Sequence, residues 1–195
     1  MLQSLDEAIF AYVNGLVGRS RWVDRLAQWT VNDYLIPSAL ALLLVWLWLR
    51  GTTVAQRRAD TAIVVNALAA QFVANVILKL VNLAYFRPRP FNCVPEVRLL
   101  FYRPWDSSCP SNPASFAFAI SVCIYLGDKG LGLGAMVLAA IWGFSRVYCG
   151  VHYPADVAGG ALLGGAVAYW LSRRSSMMTL ARERLLSVLR KGLVA

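Results

Sequence analysis

The chain is built from long apolar segments, and the stretches between them carry most of its charged residues. Five apolar segments approach the roughly 20 residues that an α-helix needs to cross a bilayer. They cover residues 31–49, 61–83, 114–126, 131–148 and 155–171. The third is long enough only if its helix begins near Ser111. The pattern predicts an all-α polytopic membrane bundle with about five transmembrane helices.

The N-terminal segment differs from these because polar and apolar residues are interspersed along it. Asp6, Glu7 and Asn14 alternate with apolar side chains over residues 1–18, which is typical of an amphipathic helix. Such a helix lies in the membrane interface or packs on the bundle as an ordinary first helix. We therefore expect a single domain, residues 1–195, made of an interfacial segment (1–30), a transmembrane bundle (31–172) and a basic cytoplasmic tail (173–195).

Composition supports the membrane assignment, and the charge distribution orients it. Hydrophobic residues make up 58% of the chain and the mean hydropathy is +0.55, both above the range of soluble proteins. The net charge of +9 would suit a nucleic-acid partner if it formed one patch. Instead, ten cations flank one set of segment ends, as the positive-inside rule requires of a cytoplasmic face: Arg50, Arg57, Arg58, Lys129, Arg173, Arg174, Arg182, Arg184, Arg190 and Lys191.

This orientation places residues 84–111 and 145–155 together on the outer face. Arg19, Arg21 and Arg25 also fall on the outer side and weaken the bias. The charge distribution therefore favours membrane lipids over nucleic acid as partners.

The four cysteines give a weak redox signal. Cys93 and Cys109 lie in the same predicted outer loop and can pair in an oxidising compartment. Cys123 and Cys149 lie in or beside apolar segments, as small buried hydrophobic residues do. The glycines of residues 159–165 (GGALLGG) suit close helix packing better than phosphate binding.

The two predicted outer segments bring together residue types that bind and transfer phosphate. One contains FRPRPF and DSSCPSNPAS, and the other contains SRVYCGVHYPAD with His152, the only histidine of the chain. Arginines beside a membrane are often headgroup anchors. Arg87 and Arg89, however, are held stiffly by prolines, and their planar forks favour bidentate capture of phosphate oxygens.

Two helix starts are predicted beside these arginines. Ser111 and Asn112 are capping residues followed by Pro113, and a helix N-terminus that faces arginines is an anion site as well as a cap. The last apolar segment begins just before Asp156, where a carboxylate commonly compensates the helix dipole. Since His152 lies one turn earlier, Asp156 can instead accept the ring N–H and leave the other ring nitrogen free to attack.

These stretches resemble the motifs of the type 2 phosphatidic-acid phosphatase superfamily. The third motif is matched by Ser145-Arg146, followed after five residues by His152 and after three more by Asp156. The first and second motifs are resembled by RPRP and by Pro110-Ser111. The resemblance covers about residues 75–165, and the local sequences are closest to the bacterial undecaprenyl-pyrophosphate phosphatases.

The resemblance implies a lipid phosphatase of the bacterial inner membrane, with its site on the periplasmic or extracellular face. His152 is then the nucleophile that forms a phosphohistidine, and Asp156 orients it. The implied phosphate ligands are Arg89, Arg146 and Ser111, with Asn112, Arg87 and Lys79 as further candidates. No metal or other cofactor is implied, because the arginines supply the charge that a cation would otherwise supply.

Two positions depart from the family pattern. The first motif has a lysine that is separated from Arg-Pro by six residues, and this chain has Asn82 there; Lys79 lies one helical turn earlier. The second motif ends in a histidine, the expected general acid for the leaving group, where this chain has Pro113. Proline supplies no proton and lacks a backbone N–H. Loss of a general acid typically slows a reaction by about 10² to 10⁴.

Pro113 leaves three hypotheses open. A diphosphatase tolerates the change, since its leaving group is a phosphate with a second pKa of about 6. An alkoxide leaving group needs a proton, because the pKa of its conjugate acid is close to that of water, about 15.7. A silent member that binds or transports a phosphorylated lipid explains Pro113 but not the pair of His152 and Asp156. A phosphotransferase that passes the phosphate to another lipid also fits. The sequence favours the phosphatase and leaves the lipid and the oligomeric state open.

Overall fold

The computed structural model describes the backbone of residues 2–192 and the side chains of residues 4–174. Within this part of the chain the regular structure is entirely helical, which confirms the all-α class. The eight helices are α1 (Leu2–Asn14), α2 (Arg21–Val31), α3 (Leu35–Arg50), α4 (Val54–Ala84), α5 (Pro90–Cys93), α6 (Asn112–Gly127), α7 (Lys129–Tyr148) and α8 (Pro154–Gly192). The side chains of the predicted basic tail beyond residue 174 lie outside the described residues.

Each of the five apolar segments of the sequence lies largely within a helix. Among the described residues, α4 and α7 are long and apolar enough to cross a membrane, and α2 with α3 forms a third candidate span that is bent by 53°. Helix α6 is apolar but has only 16 residues. The structure thus confirms a helical membrane bundle, and the number of five spans stays a prediction.

The first predicted span is wrong at its start. The apolar pattern predicts a helix from Val31, but α2 ends at that residue and α3 begins at Leu35. Between them the side chain of Asn32 accepts a hydrogen bond from the backbone N–H of Tyr34 at 2.6 Å. A side chain that binds the backbone locally in this way competes with continuation of the helix. The bend places Asp33 where the predicted outer loops meet.

Helix α1 packs on the bundle. The ring of Phe10 is buried, and its centroid lies 5.3 Å from that of Tyr153. The side-chain amide of Asn14 donates a hydrogen bond to the backbone carbonyl of Tyr148 at 2.9 Å. Of the two interpretations of the amphipathic N-terminus, these contacts support a first helix packed on the bundle. The interfacial location of residues 1–30 stays a prediction.

Ion pairs connect the helix ends and loops at each of two opposite ends of the bundle. At one end Arg50 binds Asp60 at 2.8 Å and Asp128 at 3.1 Å, which ties the end of α3 to the start of α4 and to the α6–α7 turn. At the other end Arg87 binds Asp156 at 2.5 Å, which joins the loop after α4 to the start of α8. The two predicted outer segments therefore meet in the structure.

Helix α6 lies at the centre and packs against α4, α7 and α8. Glycine allows its close approach to α8. A methyl group added at Gly164 would lie 2.1 Å from the carbonyl oxygen of Ser115, and one added at Gly160 would lie 2.2 Å from that of Ser111. These glycines therefore serve helix packing, as predicted, and hold the N-terminus of α6 against α8.

We expect Gly164→Ala to destabilise the protein by about 1–3 kcal/mol, the usual effect of overpacking a close contact. The matched control is Gly165→Ala, whose new methyl group would meet Val122 at an ordinary 3.6 Å and should be close to neutral. Thermal unfolding of the purified protein in detergent micelles measures both. Equal unfolding midpoints for the two variants would contradict the close approach of α6 to α8.

Candidate active site

His152 lies in the short turn between α7 and α8, and its ring is buried. Gly150 precedes it with φ of +82°, a conformation that favours glycine and lets the chain reverse direction. Nδ1 of the ring lies 2.8 Å from the backbone carbonyl oxygen of Ser108, and Nε2 lies 3.0 Å from Nη1 of Arg89. Because a guanidinium only donates, Nε2 accepts and Nδ1 carries the proton. The ring is therefore fixed with a lone pair on Nε2.

The surroundings also keep this ring neutral. Burial lowers the pKa of His152, and the charges of Arg89 and Arg146 lower it further, against the opposing effect of Asp156. A neutral ring with an unprotonated nitrogen is the form of histidine that acts as a nucleophile. Nε2 of His152 is thus unprotonated at neutral pH, with its lone pair directed at Arg89.

Asp156 does not bind the ring directly, contrary to the prediction. Its Oδ2 atom lies 3.9 Å from Nδ1 of His152, which is beyond hydrogen-bond distance. The carboxylate instead accepts hydrogen bonds from the hydroxyl of Ser108 at 2.5 Å and from the backbone N–H of Tyr153 at 3.0 Å. Asp156 is therefore connected to the ring through Ser108, whose hydroxyl binds the carboxylate and whose carbonyl oxygen binds Nδ1. Ser108 was not predicted, although it lies in the DSSCPS stretch beside the second motif.

Arg87 supports Asp156 from the other side. Its Nη1 atom lies 2.5 Å from Asp156, its Nη2 atom lies 2.7 Å from Asp6, and its guanidinium carbon lies 4.2 Å from the ring centroid of Tyr153. Asp6 on α1 was also missed, because an isolated carboxylate in an amphipathic helix carries no functional signal. With both terminal nitrogens engaged by buried carboxylates, Arg87 fits a positioning role better than the predicted phosphate binding.

Arg89 is buried beside Nε2 of His152. Its Nη1 atom also donates to the backbone carbonyl of Val151 at 3.1 Å. Its Nη2 atom pairs with the carboxylate of Asp106 at 2.7 Å, and its Nε atom donates to the backbone carbonyl of the same residue at 3.1 Å. The guanidinium therefore lies where it would contact an anion bound at Nε2 of His152. Asp106 was not among the predicted site residues.

Arg146 approaches the site from α7. Its guanidinium lies 5.0 Å from the ring centroid of Phe101 and 5.2 Å from that of Trp142. Its Nη2 atom forms an ion pair with Asp33, which also accepts a hydrogen bond from the hydroxyl of Tyr102 at 2.8 Å. Its Nε atom is buried without a hydrogen-bond partner. A buried cation with an unpaired donor is suited to bind an anionic oxygen.

The N-terminus of α6 opens on a cavity beside Arg146. Ser111 is the N-cap residue, and its hydroxyl is buried without a hydrogen-bond partner. Asn112 and Pro113 line a cavity of about 270 Å³ together with Asp33, the ion-pair partner of Arg146. Pro113, which stands where the family pattern has a general acid, therefore lines the same cavity as the ion-pair partner of Arg146.

Most of the predicted site residues meet at this end of the bundle. The backbone N–H of His152 donates to the carbonyl of Arg146 at 3.3 Å, and the backbone N–H of Ser111 donates to the carbonyl of Asp156 at 2.9 Å. An unprotonated ring nitrogen, two buried guanidiniums and an unpartnered hydroxyl thus lie at the same end of the bundle. Such a cluster can attack a phosphorus atom and stabilise the charge on its oxygens.

Two predictions are not met in the structure. Lys79 is exposed on α4, and the described residues give it no hydrogen bond or ion pair, so it does not join the cluster. Cys93 and Cys109 are free thiols, so the suggested disulfide is not formed.

Comparison with known proteins gives consistent matches. The family model of the PAP2 superfamily matches residues 60–179. The chain is 30% identical over 170 residues to undecaprenyl-diphosphatase BcrC of Bacillus subtilis (strain 168), which covers 87% of this chain and 84% of the relative. It is 37% identical over 142 residues to bacitracin transport permease protein BcrC of Bacillus licheniformis, which covers 71% of this chain and 68% of the relative.

A solved structure shares the fold. The transmembrane PAP2 type phosphatidylglycerolphosphate phosphatase from Bacillus subtilis superposes with a TM-score of 0.65 at 20% sequence identity, over 90% of this chain and 87% of that chain. The region matched by the family model is more than half of the chain and contains His152, Arg89 and Arg146. The resemblance inferred from the motifs is therefore confirmed, and the chain belongs to the PAP2 superfamily.

Proposed function

We propose that this protein is a lipid phosphatase that removes the terminal phosphate of a prenyl diphosphate, of the undecaprenyl type, through a phosphohistidine at His152. The observation that carries the proposal is the fixed tautomer of the ring, with Nδ1 bound to the carbonyl of Ser108 and the lone pair of Nε2 facing Arg89. A relative named as an undecaprenyl-diphosphatase supports the substrate class. A protein that only binds or transports a lipid does not require a nucleophile held in this way.

The proposed reaction has two steps. In the first, the lone pair of Nε2 attacks the terminal phosphorus, a P–N bond forms, and the P–O bond to the bridging oxygen breaks. The lipid monophosphate leaves with the bonding electron pair. In the second, water attacks the phosphorus, the P–N bond breaks with its electron pair returning to His152, and inorganic phosphate and a proton are released. Arg89 and Arg146 stabilise the phosphate oxygens in both steps, with Ser111 and Asn112 as further ligands at the helix N-terminus.

Pro113 directs the proposed choice of substrate. The side chain of Pro113 has no proton to give to the leaving group. A lipid phosphate leaves without protonation, since its second pKa is about 6. An alkoxide from a monophosphate ester needs protonation, because the pKa of its conjugate acid is close to that of water, about 15.7. We infer a preference for diphosphates over monophosphate lipids such as phosphatidic acid.

We expect the wild type to release phosphate from a prenyl diphosphate. We expect Pro113→His to accelerate hydrolysis of a monophosphate ester by about 10²-fold or more, the range of general-acid catalysis. The new ring would face the cavity that Pro113 shares with Asp33. The gain on the diphosphate should be smaller, because its leaving group needs little protonation. Phosphate release by purified protein in micelles measures both substrates.

In the same assay His152→Ala provides the blank. Equal gains on both substrates would contradict the leaving-group argument. If the wild type turned over neither substrate while still binding the lipid, the silent lipid-binding alternative would replace the proposed phosphatase.

The proposed location is the bacterial plasma membrane, with the site on the outer face. The exposed cations Arg57, Arg58 and Lys129 lie at the end of the bundle that holds Arg50, opposite the end that holds His152. The positive-inside rule assigns that basic end to the cytoplasm. The site then faces the periplasm or the cell exterior.

Cysteine labelling tests this orientation. Cys93 is exposed in the proposed outer loop, whereas burial raises the pKa of the Cys109 thiol and reduces its reactivity. We expect a membrane-impermeant thiol reagent to label the wild type in intact cells and to label Cys93→Ser much less. In the Cys93→Ser background, Gln56→Cys should stay unlabelled until the membrane is permeabilised, because Gln56 is exposed at the opposite end. The reverse pattern would overturn the orientation.

A further inference from the structure

Two buried guanidiniums of the site are paired with carboxylates that remain in contact with water. Arg89 pairs with Asp106 and Arg146 pairs with Asp33, and these two carboxylates are 46% and 37% exposed. Both aspartates lie outside the helices, one in the loop between α5 and α6 and the other in the bend between α2 and α3. An exposed carboxylate can leave its partner for water at little cost, since ion pairs in contact with solvent are weak.

Arg87 shows the contrasting arrangement. Both of its partners, Asp6 and Asp156, are buried, so neither carboxylate can be released to water cheaply. The structure thus separates one permanently paired arginine from two whose partners can be exchanged. The two exchangeable arginines are those that the proposed function assigns to the phosphate.

Charge balance decides which ligands can make this exchange. A buried guanidinium needs an opposite charge whether or not a ligand is present. Arg89 and Arg146 carry two positive charges, and Asp33 and Asp106 supply two negative charges. A terminal phosphate carries roughly 1.5 to 2 negative charges at pH 7, so one phosphate can replace both carboxylates. A phosphodiester carries a single negative charge, so if it replaced both carboxylates one buried guanidinium would stay uncompensated.

We propose that Asp33 and Asp106 are specificity-determining residues that exchange with the substrate phosphate, admitting dianionic terminal phosphates and excluding the monoanionic phosphodiester headgroups of bulk phospholipids. The inference rests on the proposed binding of phosphate by Arg89 and Arg146. Membrane phospholipids reach the same bilayer surface as the substrate, so this discrimination keeps the site free for the substrate. After turnover the two carboxylates return to the arginines and favour release of the product phosphate.

Two soluble inhibitors of prenyl diphosphate hydrolysis test the exchange on the purified full chain in micelles. They are inorganic phosphate and dimethyl phosphate, a phosphodiester monoanion. We expect the wild type to be inhibited by phosphate and hardly at all by dimethyl phosphate. Asp33→Asn and Asp106→Asn each free one guanidinium, so in both variants the inhibition constant of dimethyl phosphate should fall by about tenfold or more, the size of one charge-assisted hydrogen bond.

Glu96→Gln is the matched control. It removes an exposed carboxylate from the same outer segment, so both inhibition constants should remain as in the wild type. The two aspartate variants lie on different loops, and each tests the exchange independently if the other fails to fold. Unchanged inhibition by dimethyl phosphate in the folded aspartate variants would overturn the exchange, as would an equal change in Glu96→Gln.

Arg146→Lys separates failure of this inference from failure of the proposed function. The planar fork becomes a point charge, so inhibition by inorganic phosphate should weaken. If it weakens while the aspartate variants change nothing, the phosphate site stands and the exchange is wrong. If phosphate inhibition is unchanged in Arg146→Lys, the proposed phosphate site itself is wrong.

Discussion

Buried positive charge at one end of an apolar helical bundle is the constraint on which the rest of the site depends. A guanidinium removed from water is stable only with an opposite charge and with acceptors for its N–H groups. Arg87, Arg89 and Arg146 find the opposite charge on α1, in the α5–α6 loop and in the α2–α3 bend, whereas Nε of Arg146 is left without an acceptor. The ion pairs therefore fasten the N-terminal helix and the loops at this end to the bundle, and the same contacts build the candidate active site.

The charge network also sets the tautomer and the protonation state of His152, the proposed nucleophile. Arg87 binds Asp156, Asp156 holds the hydroxyl of Ser108, and the carbonyl of Ser108 holds Nδ1 of His152. A backbone carbonyl accepts a hydrogen bond at every pH, so the tautomer does not depend on titration of the carboxylate. Burial is the largest effect that lowers the pKa of His152, and the charge of Arg89 lowers it further. Both effects keep the ring neutral. The position, tautomer and protonation state of the His152 ring are thus set by the same contacts.

The fold class and the central motif could be predicted because both are local patterns. Apolar segments mark the helices, and the spacing from Arg146 to Asp156 follows from one turn between two helices. The supporting residues could not be predicted in the same way. Ser108 acts through a backbone carbonyl, which every residue possesses, and Asp33 and Asp106 are isolated carboxylates that acquire a role only when distant loops meet. The bend at Asn32 depends on a side-chain hydrogen bond that hydropathy does not register.

The central claim is that His152 carries the phosphate during turnover, and it can be tested directly because His152 is the only histidine in the chain. A prenyl diphosphate labelled in its terminal phosphate is mixed briefly with the protein, and the reaction is stopped with alkaline denaturant. We expect protein-bound label that is stable to base, is lost in acid, maps to His152 and is absent from His152→Ala. Turnover by the wild type without any acid-labile label, or the same label on His152→Ala, would contradict the mechanism.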